Sequence, residues 1–94
     1  MQLEATLVKR GPAQWTAIYQ VAVLDCGDVI DMYRLIKQYG PQAARGGRAE
    51  LSLELCGKRI QAVLHFQFFA GGVKYRLEVP EVEAAKVETQ VKQL

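Results

Sequence analysis

The stretch RAELSLELCGKRIQAVLHFQFFAGGVKYRLEV, residues 48–79, decides how this chain folds. Ala49, Leu51, Leu53 and Leu55 alternate with Arg48, Glu50, Ser52, Glu54 and Cys56. A period of two belongs to a strand with one side buried. Ile60, Ala62, Leu64, Phe66 and Phe68 resume the apolar side after a bend at Gly57-Lys58. Val73, Tyr75, Leu77 and Val79 resume it again after Gly71-Gly72. The pattern predicts a three-stranded antiparallel meander.

The two bends set an expected register. Gly57-Lys58, with glycine first as a type II′ turn requires, places Cys56 opposite Arg59, Leu53 opposite Ala62 and Leu51 opposite Leu64. Gly71-Gly72 places Phe68 opposite Tyr75, Phe66 opposite Leu77 and Leu64 opposite Val79. On the polar side, Glu50 and Glu78 then flank His65, and Arg48 and Arg76 flank Gln67. A slip of one residue would turn every apolar side chain outward.

Outside the meander, residues 2–9 alternate, with Leu3, Ala5 and Leu7 on one side. Gly11-Pro12-Ala13 is a turn. Residues 15–24 are apolar on both sides, as a central or doubly covered strand is. A three-residue loop pairs Leu3 with Val21, Ala5 with Tyr19 and Leu7 with Ala17. Asp28 reads as the N-cap of a helix over 29–39, with Val29, Met32, Tyr33, Ile36 and Tyr39 as its stripe. Gly40 and Pro41 end that helix, leaving 41–47 as a mobile loop. Pro80 and the acids Glu81 and Glu83 suit the start of a second helix, 81–94, with a stripe of Ala84, Val87, Val91 and Leu94.

The expected order is ββαβββα in a single domain, residues 1–94. That is an α+β two-layer sandwich, a mostly antiparallel five-stranded sheet with two helices packed on one face. The helix–three strands–helix portion resembles double-stranded-RNA-binding domains in element order. Glu81-Val82-Glu83 stands where those domains begin their last helix with basic, glycine-rich residues, so the likeness implies no activity. No local pattern fixes how the N-terminal hairpin joins the meander.

Composition bounds the function. Half of the 94 residues are hydrophobic, enough for a core, and the net charge of +2 is too small to argue for nucleic acid. No apolar run reaches the ~18 residues of a membrane span, and the N-terminus lacks the apolar block of a signal peptide. A cytoplasmic protein is expected. Cys26 and Cys56 lie in different elements without metal-ligand spacing, and reduced thiols are the expectation. Asp25 and Asp28 argue against a reactive Cys26 thiolate.

Three functional readings follow from side-chain chemistry. The Glu50–His65–Glu78 row would suit a divalent metal or an acid–base histidine. A single histidine on an open sheet more plainly makes a salt-bridged row. Arg45, Arg48, Lys58, Arg59, Lys74 and Arg76, with Phe69 for stacking, would suit nucleic acid, although Glu50, Glu54 and Glu78 share that surface. The third reading, taken as the expectation, is a non-catalytic interaction module. It would be an adaptor, regulator or inhibitor of the kind phages and mobile elements carry, with no cofactor and no membrane contact. It would bind a protein partner through Arg45, Arg48, His65, Gln67, Phe69, Lys74 and Arg76. A homodimer through the C-terminal stripe is compatible with it.

Overall fold

Alternation governs more of the chain than the meander. The computed structural model describes residues 1–94 and contains seven strands and one helix. The strands are β1 (Gln2–Gly11), β2 (Gln14–Leu24), β3 (Val29–Asp31), β4 (Arg48–Leu55), β5 (Lys58–Phe69), β6 (Gly72–Glu78) and β7 (Ala84–Gln93); the helix is α1 (Met32–Gly46). One antiparallel sheet runs β3-β2-β1-β6-β5-β4, with β7 also paired to β2. It curls into a half-barrel, and α1 packs against β1, β2, β4, β5 and β6. No helix is long and apolar enough to cross a membrane.

The expectation of five strands and two helices is therefore overturned at the C-terminus. Residues 84–93 are strand β7, pairing Ile18 with Val91 and Ala22 with Val87. Ala84, Val87, Val91 and Leu94 fall at helical spacing, but Val87, Thr89 and Val91 also share one side of a strand. Local pattern leaves both periods open. The long edge of β2, apolar on both sides, needs backbone partners, and that tertiary demand decides the outcome. β2 is central as expected, and the likeness to RNA-binding domains disappears with the second helix.

The N-terminal hairpin keeps the expected register from Ala5, opposite Tyr19, to Lys9, opposite Trp15. The register shifts between Lys9 and Gly11, so the hairpin closes with Gly11 opposite Gln14 on a two-residue turn rather than the expected three-residue loop, and the expected Leu3–Val21 pair does not form. Val21 pairs with Asp31 of β3. β1 then pairs with β6, Leu3 facing Leu77, Ala5 facing Tyr75 and Leu7 facing Val73, which joins hairpin to meander. Leu3, Leu64 and Leu77 are fully buried along this junction.

Both meander turns come one residue earlier than expected. Leu55 faces Lys58 around Cys56-Gly57, and Phe69 faces Gly72 around Ala70-Gly71. Cys56 (φ 55°) and Gly57 (φ 78°) both lie in the left-handed region, as a type I′ turn demands. Each strand thus slides by two residues along its neighbour, which keeps the faces and changes every partner. Leu51 meets Ala62, Ala49 meets Leu64, Phe66 meets Tyr75 and Leu64 meets Leu77.

Two tertiary contacts hold the first turn in this position. Cys56 is disulfide-bonded to Cys26, with Cα atoms 5.7 Å apart, and its N–H donates to Asp28 Oδ2 at 2.7 Å. The expectation of reduced thiols is corrected by this bridge. It ties the β2–β3 connection to the β4–β5 turn, so β3 is stapled to β4 at the far edge of the sheet.

The helix is also displaced. Its N-cap is Asp31, not Asp28; Asp31 Oδ1 accepts from the N–H groups of Tyr33 (2.9 Å) and Arg34 (3.4 Å). Such a cap is worth about 1 kcal/mol. Val29 lies in β3 and is exposed. α1 continues through Gly40 and Pro41, so residues 41–46 are helical rather than a loop, and the end comes at Gly47 (φ 83°). Met32, Ile36, Gly40 and Ala43 are its buried residues, and this stripe carries the helix past the missing N–H of Pro41. A Cβ at Gly40 would come within 3.1 Å of Tyr75 Oη, so glycine lets the helix approach β6.

Candidate interaction surface

Strand register decides which polar side chains meet. Across the face opposite α1, one row runs Arg48–His65–Arg76–Glu4 over β4, β5, β6 and β1. The next runs Glu50–Val63–Glu78. The expected acid–histidine–acid row does not form, because both turns fall one residue early. His65 faces Arg48 and Arg76 instead, and Gln67 faces Lys74 rather than the two arginines.

His65 still reaches one acid diagonally. Its Nε2 lies 3.5 Å from Glu78 Oε1, yet this buried atom makes no hydrogen bond. Arg76 Nη1 holds the same carboxylate oxygen. The Arg76 hydrogen bond, with Arg76 and His65 charge adding to it, lowers the Glu78 pKa. A carboxyl with a lowered folded-state pKa contributes stability above its unfolded value, lost as pH falls through the folded one. Urea midpoints are expected to drop as pH falls below about 5, and less steeply in Arg76→Gln than in the parent.

The two acids do not converge on the histidine. Glu50 accepts from Arg48 Nη2 at 2.9 Å. Glu50 and Glu78 line an open depression of about 500 Å³ with Gln2, Gln61 and Val63. His65 lines a different one, with Glu4, Gln67, Lys74 and Arg76. One set of three ligating side chains does bring its donor atoms within 4.8 Å: Cys26, Asp28 and Cys56. There the sulfurs are bonded to each other and Asp28 Oδ2 accepts the Cys56 N–H.

The six basic residues are likewise dispersed. Arg48 pairs with Glu50, Arg59 with Glu54 (3.5 Å), Lys74 with Glu4 (3.2 Å), and Arg76 with Glu78. Arg45 sits in the last turn of α1 and Lys58 at the start of β5. Exposed ion pairs of this kind are worth little in stability, but each one neutralises a cation that a phosphate would need.

The β5–β6 hairpin tip carries the exposed aromatic rings. Alternation places Phe68 on the buried side, but it is 76% exposed, and Phe69 on the other side is 42% exposed. Phe68 stacks edge-on against Phe66, ring centroids 4.7 Å apart. The tip is clamped to the first hairpin, Lys9 N–H donating to Gly71 O at 3.0 Å. Adjacent strand residues project to opposite sides, so the Phe68-Phe69 pair itself signals that one aromatic ring faces water. Of the expected contact residues, Gln67, Phe69 and Lys74 lie together here, lining one open hollow with Thr6.

Comparison with family models, with curated proteins and with solved structures gives no match to this chain.

Proposed function

We propose that this protein is a non-catalytic interaction module that binds a protein partner through the β5–β6 hairpin tip. The supporting observation is the pair Phe68 and Phe69, two large apolar side chains exposed beside a tight two-residue turn. Aromatic anchors of low conformational freedom are what protein interfaces use as energetic centres. Phe66 and the clamp to Lys9 hold the tip in place before binding. Gln67 and Lys74 supply a polar rim. Arg45, Arg48, His65 and Arg76 lie away from the tip and play no part in this contact. The bridge between Cys26 and Cys56 suits an oxidising compartment better than the cytoplasm.

The test compares wild-type protein with Phe68→Ser/Phe69→Ser as bait in extracts of the native host, with a photo-crosslinker at Ala70. A stoichiometric protein captured by the wild type, lost with the variant and crosslinked at position 70 is expected. Equal capture by both baits, or no stoichiometric protein, overturns the reading. Nucleic acid is the second reading, favoured by Lys9 and Arg10, which form no ion pair on the neighbouring hairpin. Single-stranded oligonucleotide binding that weakens steeply with salt would support it.

A further inference from the structure

The C-terminal strand ends the sheet on an open edge. β7 pairs with β2 along one side, and nothing covers the other. Leu94 N–H donates to Trp15 O. Residues that bond a given neighbour alternate along an antiparallel ladder. From Lys86 onward, past the register shift at Ala84, the even-numbered residues of β7 therefore turn their N–H and C=O groups to β2. Val87, Thr89, Val91 and Gln93 turn theirs to the open edge. Val87 is 47% and Val91 65% exposed, so this edge offers apolar side chains as well as unpaired backbone. A ten-residue edge of that kind is a template for another strand.

We propose that the strand which completes this edge is β7 of a second copy, paired antiparallel about a two-fold axis through Gln90. The charges on β7 choose both the occupant and the register. Lys86, Glu88, Gln90 and Lys92 share the side facing α1, where Gln90 Oε1 accepts from Tyr19 Oη at 3.1 Å and Lys92 Nζ lies 4.7 Å from the Tyr33 ring centroid. With Gln90 opposite its own copy, Glu88 of each chain faces Lys92 of the other, and Thr89 faces Val91. Moving the axis to Thr89 sets Lys86 against Lys92. Moving it to Glu88 sets Glu88 against itself. Like charges directly opposite are unfavourable, and opposite charges there are favourable. An axis through Val87 pairs Lys86 with Glu88, but it runs residues 91–93 past the start of the partner strand at Ala84. Of these registers only the Gln90 one sets opposite charges face to face with no like pair and no overrun of the strand; Lys86 there faces Leu94 and keeps its own-chain pair with Glu88 at 2.7 Å. The pairing is isologous, as a closed dimer requires, and it merges two half-barrels through one continuous sheet.

This surface is separate from the hairpin tip, so the two proposals fail independently. Sedimentation at millimolar concentration is expected to show a dimer for the wild type and for Phe68→Ser/Phe69→Ser. Glu88→Lys alone and Lys92→Glu alone are expected to be monomers, and the double variant Glu88→Lys/Lys92→Glu to be a dimer again. Gln90→Cys is expected to crosslink to its own copy under oxidation, and Val87→Cys is expected not to. Circular dichroism checks that each variant keeps the sheet. A monomeric wild type overturns the proposal, as does a dimer indifferent to Glu88→Lys or a Val87→Cys crosslink in place of the Gln90→Cys one.

Discussion

Gly72→Ala is expected to prevent folding. A Cβ built at Gly72 would overlap the Leu7 carbonyl oxygen and come within 3.0 Å of Leu7 C and 3.2 Å of Val8 Cα. All three atoms are backbone of β1, the strand that faces Gly72 through Val8 and Val73 through Leu7. No side chain can rotate away. Relief requires β1 and β6 to separate where the two hairpins join, on the same pair of strands as the buried Leu3–Leu77 contact. The loss is expected to be comparable with the stability of a whole small domain, about 5–15 kcal/mol. Gly71→Ala is the control. Gly71 has φ 100° but open space around it, so alanine there costs only the left-handed backbone penalty, roughly 1–2 kcal/mol. Circular dichroism and amide spectra of the two variants distinguish them. A Gly72→Ala protein with a native melt would refute the β1–β6 register.

Loss of the disulfide comes next in size. Cys26 and Cys56 are 30 residues apart in sequence, and closing a loop of that length is worth about 3–4 kcal/mol by the chain-entropy estimate. For a domain of this size that corresponds to a fall in Tm on the order of 15–25 °C. Cys26→Ser/Cys56→Ser, or wild-type protein under reductant, should show it. Hydrogen exchange should rise first at β3 and β4, the strands the bridge draws together. Equal Tm with and without reductant would mean that core packing alone holds the sheet closed.

The meander is legible because alternation and glycine act over a few residues. The apolar side of every meander strand matches the expectation, since the observed shift is by two residues and a shift of two preserves faces. The same parity hides the register: Leu51 is as well matched by Ala62 as by Leu64. Apolar pairing therefore has no power to tell the two arrangements apart. What separates them lies elsewhere in the chain, in Cys26 and Asp28 holding Cys56. The polar row is sensitive to this shift, so His65 has no pair of facing acids while the core is unaffected. Helix α1 shows a similar limit. Gly40-Pro41 reads locally as a stop, and the continuing stripe to Ala43 is stabilised by sheet contacts that a local pattern does not contain.

By itself, the order of residues determined which positions alternate, which side of each strand is apolar, that residues near 32–39 are helical, and how the middle of the first hairpin, Ala5 to Lys9, pairs. These depend on neighbours within about one turn or one bend. Tertiary structure alone decided that residues 84–93 are strand, that β1 pairs with β6, that the cysteines are joined, and which charges share a row. Each of those depends on backbone hydrogen-bonding groups, or on side chains far apart in sequence, that must find partners in the folded sheet.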